Sequence, residues 1–97
     1  MFSIEITPNN EVLLSGRLDA SQADKAKEVL DTVNESAVVN FKDLDYISSA
    51  GLGVLFATQK RLRTDGKGLK LTSMNSHIRD VFRYARFDLL FEIEQSE

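Results

Sequence analysis

Two hydrophobic rhythms alternate along this chain, and their order is the strongest constraint on its fold. Phe2, Ile4 and Ile6 alternate with Ser3, Glu5 and Thr7, the period of a half-buried strand. Pro8-Asn9-Asn10 signals a turn, and Val12–Ser15 reads as a second strand, so a β-hairpin closed by Gly16 is predicted. Ser21-Gln22-Ala23-Asp24 places a serine N-cap ahead of an acid, in the manner of a capping box. Ala23, Ala26, Leu30 and Val33 continue at helical spacing, which predicts a helix over about Ser21–Val33. Ala37-Val38-Val39-Asn40-Phe41 is short, β-branched and flanked by polar residues, the pattern of a central buried strand. From near Ala50, the residues Leu52, Leu55, Phe56, Gln59 and Leu62 hold a helical period, which Asp65-Gly66-Lys67-Gly68 ends. Leu69 and Leu71 alternate with Lys70 and Thr72 as a fourth strand. Ile78, Val81, Phe82 and Ala85 form a shorter helical stripe after Asn75-Ser76, and Leu89, Phe91 and Ile93 predict a last edge strand.

The order β-β-α-β-α-β-α-β predicts an α/β fold, a mixed and largely parallel sheet of four to five strands with helices packed on it. With 97 residues, the chain reads as a single domain, residues 1–97, around one modest core. The only low-complexity feature is a short polar tail at Gln95-Ser96-Glu97.

Several function classes are disfavoured by composition. The formal net charge of −3 argues against a general nucleic-acid binder, which carries a basic excess. There is no cysteine, so no disulfide, thiolate nucleophile or zinc-thiolate site can form. No apolar stretch approaches the roughly 20 residues that span a bilayer, and no signal-peptide pattern opens the chain. A cytoplasmic protein without membrane insertion is the expectation. Phe56, Phe82, Tyr84, Phe87 and Phe91 sit at helix or strand periods and read as core or rim, and Lys60, Arg61 and Arg63 as a solvated basic helix face.

Chemistry concentrates in Tyr46-Ile47-Ser48-Ser49-Ala50-Gly51-Leu52-Gly53, where a strand should hand over to a helix. The carboxyl end of a central strand is where open α/β sheets bind ligands. The free N–H groups of a helix start favour an anion, so a phosphate on a serine here would be accommodated by the chain itself. The glycines keep the surroundings bare. On spacing alone the favoured reading is that one serine of the pair is the helix N-cap, and capping and modification are not exclusive. Nucleophilic catalysis has little support: the pattern is not Gly-x-Ser-x-Gly, and His77 is the only histidine. Gly51-Leu52-Gly53 is too short for a dinucleotide fingerprint, and no ligand cluster points to a metal.

Ile47-Ser48-Ser49-Ala50-Gly51-Leu52-Gly53-Val54-Leu55, preceded by Val38-Val39-Asn40-Phe41 and Asp43-Leu44-Asp45-Tyr46, resembles the signature of STAS domains, most nearly the stand-alone anti-sigma factor antagonists. Gly16-Arg17-Leu18-Asp19 resembles that family's Gly-x-Leu-Asp. Leu69–Thr72, Ile78–Phe82 and Phe87-Asp88 resemble its closing strand and helix.

The resemblance implies a bacterial, cytoplasmic, phosphorylation-controlled partner switch without enzymatic activity or cofactor. The unphosphorylated antagonist docks on a serine protein kinase that is also the anti-sigma factor. Phosphorylation releases it, and a PP2C-type phosphatase resets the cycle. The family's usual order is Asp-Ser-(Ser/Thr)-Gly-Leu-Gly. Alignment on Gly51 puts Ser49 on the phosphoserine, with Ser48 in place of the aspartate and as a minor alternative acceptor, and Ala50 in place of the second hydroxyl. The implied partner-binding residues are Asp19, Ser48, Gly51, Leu52, Gly53 and Phe56. Asp19 reads either as a strand-end residue near Ser49 or as a cap of the first helix. Two other roles stay open: an accessory subunit of an ABC-type lipid transport complex, and an anion- or nucleotide-sensing module.

Overall fold

The computed structural model describes residues 1–94; the polar tail Gln95-Ser96-Glu97 lies outside them. Five strands form one sheet in the order β1 (Phe2–Ile6), β2 (Glu11–Leu18), β3 (Ala37–Ile47), β4 (Leu69–Thr72) and β5 (Glu92–Glu94). β1 and β2 are antiparallel, and every other neighbouring pair is parallel, so the predicted α/β architecture holds. The helices α1 (Ala23–Leu30), α2 (Ser49–Arg63) and α3 (Ser76–Tyr84) form the crossovers between consecutive parallel strands.

Parallel strands added one after another in the same direction, through right-handed crossovers, put all their helices on one face. The register agrees. Val12 lies beside Ile6 and Val39, and Val39 beside Leu71, a continuous apolar row. One residue along, Leu13 lies beside Glu5 and Asn40, and Asn40 beside Thr72, a row on the opposite face that is polar apart from Leu13. Alternate residues of a strand point to opposite faces, so the core lies on one side only. It joins Val12, Leu14, Val39, Phe41, Leu69 and Leu71 of the sheet to Leu30, Leu55, Leu62, Ile78 and Phe82 of the helices. Phe41 meets Phe82 edge to face at 5.7 Å, and Phe82 meets Phe91 at 5.9 Å, geometries that aromatic pairs favour.

The structure corrects several sequence expectations. β3 is central but not buried on both faces, because Val38 and Asn40 are half-exposed. It also continues to Ile47 rather than stopping near Phe41. Its buried residues are Ala37, Val39, Phe41, Leu44 and Ile47, and the spacing lengthens after Phe41. Two register shifts against β2 absorb the extra residues. Such bulges break the period-two signal while keeping the inward set inward. Gly16 lies inside β2, not at its end. Its φ is +83°, and a Cβ there would fall 1.7 Å from the Met1 carbonyl oxygen. The first helix starts at Ala23 and ends at Leu30; Ser21 instead belongs to a 3₁₀ turn, Ala20–Gln22. Leu89 lies in a second 3₁₀ turn, Phe87–Leu89, and is exposed, leaving β5 short. Tyr84 is also exposed, whereas Phe82 and Phe91 are core residues.

Candidate functional site

Three strand ends and three helical starts meet at one edge of the sheet. β2 leads into the first 3₁₀ turn, β3 into α2 and β4 towards α3. Each start is capped by a side chain. Asp19 Oδ1 accepts the Ser21 N–H at 3.1 Å and the Ser21 hydroxyl at 2.7 Å. Ser48 Oγ accepts the Gly51 N–H at 3.2 Å. Asn75 Oδ1 accepts the Ile78 N–H at 2.8 Å. Free N–H groups at a helix start demand such partners, and Asp, Ser and Asn supply them best.

The serine pair divides between two tasks. The Ser48 N–H donates to the Leu18 carbonyl at 2.9 Å, and its carbonyl receives the Leu52 N–H at 2.9 Å. With φ −91° and ψ 170°, Ser48 is the extended residue that ends the strand, and its hydroxyl caps α2. Ser49 is the first residue of α2 rather than part of a preceding loop, and it is exposed. Its own N–H and that of Ala50 lie in the first turn, where no helical carbonyl can reach them. An exposed hydroxyl therefore stands at the positive end of a 15-residue helix.

The two glycines do unlike things. A Cβ on Gly51 would lie 2.7 Å from Leu18 Cγ and 3.0 Å from Ile47 Cγ1. Gly51 is bare so that α2 can seat on its own sheet, and it is buried. A Cβ on Gly53 would meet nothing within 4 Å, and Gly53 faces solvent. Leu52 is 5 % exposed and belongs to the core, so it supports this surface from below. Phe56 is half-buried, its ring 5.5 Å from that of Phe87. Of the partner-binding residues expected on α2, Gly53 and Phe56 thus present surface, while Gly51 and Leu52 underlie it.

Asp19 follows β2 directly after Leu18, whose carbonyl accepts the Ser48 N–H, and it caps the 3₁₀ turn rather than the first helix, whose N-cap position is Gln22. The Asp19 carboxyl is held below its ordinary value, chiefly by the Ser21 hydroxyl, against an opposing effect of desolvation; the Ser21 and Gln22 backbone N–H groups and the Arg17 charge lower it further. Arg17 lies over the Tyr46 ring at 4.4 Å, its partner in register, a pairing the sequence reading did not single out. Lys60, Arg61 and Arg63 are exposed, as expected of a solvated basic face, and Arg61 in addition donates to the Leu30 and Val33 carbonyls at 3.1 and 2.9 Å and closes the end of α1. No sequence signal links residues so far apart.

His77 is exposed in the first turn of α3. Among the described residues no group of three His, Asp or Glu side chains could hold a metal, and no helix is long and apolar enough to cross a membrane.

The family model described as "Mlab, STAS domain" matches residues 2–92. A putative anti-sigma factor antagonist, BtrV of Bordetella bronchiseptica, is 34% identical over 88% of this chain and 72% of its own length. The anti-sigma-B factor antagonist of Listeria monocytogenes is 30% identical over 98% of this chain and 90% of its own. Among solved structures, the Bacillus anti-sigma factor antagonist SpoIIAA has the same fold at 18% identity. Its unphosphorylated form matches with a TM-score of 0.72 over 100% of this chain and 90% of its own. Its phosphorylated form matches with the same score over 100% and 92%.

Proposed function

This chain belongs to the STAS domain family, in its anti-sigma factor antagonist branch, and we propose that it is a partner switch governed by phosphorylation of Ser49. The observation that carries the proposal is the division between the serines: Ser48 Oγ caps α2, while Ser49 stands exposed one residue on. In the unmodified state the surface of Ser49, Gly53 and Phe56, flanked by Asp19, docks on an ATP-dependent serine kinase that is itself the anti-sigma factor. A phosphate on Ser49 adds close to two negative charges and bulk to a surface of small side chains, which repels that partner. The helix start tolerates the charge, so the switch needs no refolding. A PP2C-type phosphatase restores the docking state. The whole chain acts as a single cytoplasmic domain and as a substrate, and the catalysis lies in its partners.

Calorimetric titration against the cognate kinase tests this reading. Wild type and Ser49→Ala are expected to bind alike, and Ser49→Asp to bind at least ten-fold more weakly. Equal affinity of all three would refute it.

One feature favours a second reading. Ser48 stands where the family's usual order has an acid, so this face carries no carboxylate immediately before Ser49. In that reading the same face is read by the ATPase of an ABC-type lipid transport complex, without phosphorylation. Identification of the native partner as an ABC ATPase rather than a serine kinase decides between the two.

A further inference from the structure

The far end of α2 is basic, and the side chains of two of its three cations form no hydrogen bond or ion pair among the described residues. Ser49–Arg63 contains no acidic residue but three cations, Lys60, Arg61 and Arg63, in a chain whose net charge is −3. Cations in a last helical turn are favoured by the dipole, which accounts for their position. Arg61 is occupied by the Leu30 and Val33 carbonyls at and beyond the end of α1. Among the described residues Lys27, Lys67, Lys70 and Arg83 form ion pairs, while Lys60 and Arg63, like Lys42 and Arg86, do not; what sets Lys60 and Arg63 apart is that both border one cleft.

These two cations border a cleft of about 270 Å³ between α2 and Leu90, the residue after the 3₁₀ turn Phe87–Leu89, lined also by Phe56 and Gln59. The polar groups of Gln59 are engaged, with Nε2 donating to the Leu90 carbonyl at 2.8 Å and Oε1 accepting the Leu69 N–H at 2.7 Å. The cleft therefore offers apolar surface under a basic rim. Phe56 follows Ser49 by seven residues, two turns on the same side of the helix and about 10 Å along it.

We infer that this cleft is a second contact site for the partner that engages Ser49, receiving an apolar side chain flanked by carboxylates. The inference rests on the proposed function and extends its docking surface along α2. Rim charges of this kind accelerate and orient encounter and make it sensitive to salt.

The test is an amide-shift titration of the ¹⁵N-labelled full chain with the peptide acetyl-Glu-Glu-Leu-Phe-Glu-Glu-amide and with its lysine counterpart. The acidic peptide is expected to move the Phe56, Lys60 and Leu90 amides saturably, at least ten-fold more weakly in the Lys60→Glu/Arg63→Glu variant. No saturable shift, or equal shifts with the lysine peptide, would overturn the inference. So would a concentration-dependent dimer abolished by the same double variant, since a second copy would then fill the cleft. Failure of the proposed function is read separately, from unchanged kinase affinity in Ser49→Asp.

Discussion

Ser48 Oγ accepts the Gly51 N–H at 3.2 Å, so the first turn of α2 is capped by a residue that is not the proposed phosphoacceptor. Loss of a serine cap costs about 1 kcal/mol. Ser48→Ala is expected to lower the melting temperature by several degrees, at roughly 4–8 °C per kcal/mol for a domain of this size. Ser49→Ala should lie within about 0.5 kcal/mol of wild type, as exposed substitutions do. Thermal denaturation of the two variants side by side checks the division.

Gly51 and Gly53 should respond in opposite directions to the same added methyl group. Gly51→Ala forces a Cβ to within 2.7 Å of Leu18 Cγ and should destabilise by about 1–3 kcal/mol. Gly53→Ala meets nothing within 4 Å and replaces a helical glycine, so it should stabilise by up to about 1 kcal/mol. Urea denaturation midpoints report both. A Gly53→Ala protein that is more stable yet binds the kinase less well would mark position 53 as contact surface.

Arg61 joins α2 to the end of α1 through the Leu30 and Val33 carbonyls. Arg61→Ala is expected to cost about 1.5–3 kcal/mol, the range for hydrogen bonds from a charged group. Arg61→Lys should restore only part of this, because an ammonium lacks the fork that reaches two acceptors. Hydrogen exchange should accelerate first in residues 27–33.

Asp19 makes the site's one acid-sensitive prediction. Its carboxyl is lowered by the Ser21 hydrogen bonds, so the folded state favours the ionised form. The resulting stability is present above the ordinary value of 3.8 and is lost as pH falls through the lower folded value. The stability difference between wild type and Asp19→Asn should therefore be constant near neutral pH and shrink in acid. A carboxyl-carbon titration that places Asp19 at or above 3.8 would contradict this.

Much of the fold was legible because its elements keep simple periods. The Phe2–Ile6 alternation, the α2 stripe and the Leu69–Thr72 strand all lie where the sequence puts them. The second half of β3 was not legible, since Lys42-Asp43 and Asp45-Tyr46 interrupt the alternation at bulges whose compensation lies on β2. The 3₁₀ turn at Ala20–Gln22 displaced the expected Ser21 cap because Asp19, two residues earlier, already satisfies the Ser21 N–H. At the site, sequence located the serine pair at the strand-to-helix junction, where the structure separates the capping Ser48 from the exposed Ser49. Sequence could not separate the two glycines, because their difference is the distance to Leu18 and Ile47 across the chain.

The most direct measurement is phosphosite mapping by mass spectrometry after incubation with the cognate kinase and ATP. The account predicts one phosphate, on Ser49, in wild type and in Ser48→Ala, and none in Ser49→Ala. Equal labelling of Ser49→Ala, or a phosphate found on Ser48, would contradict it.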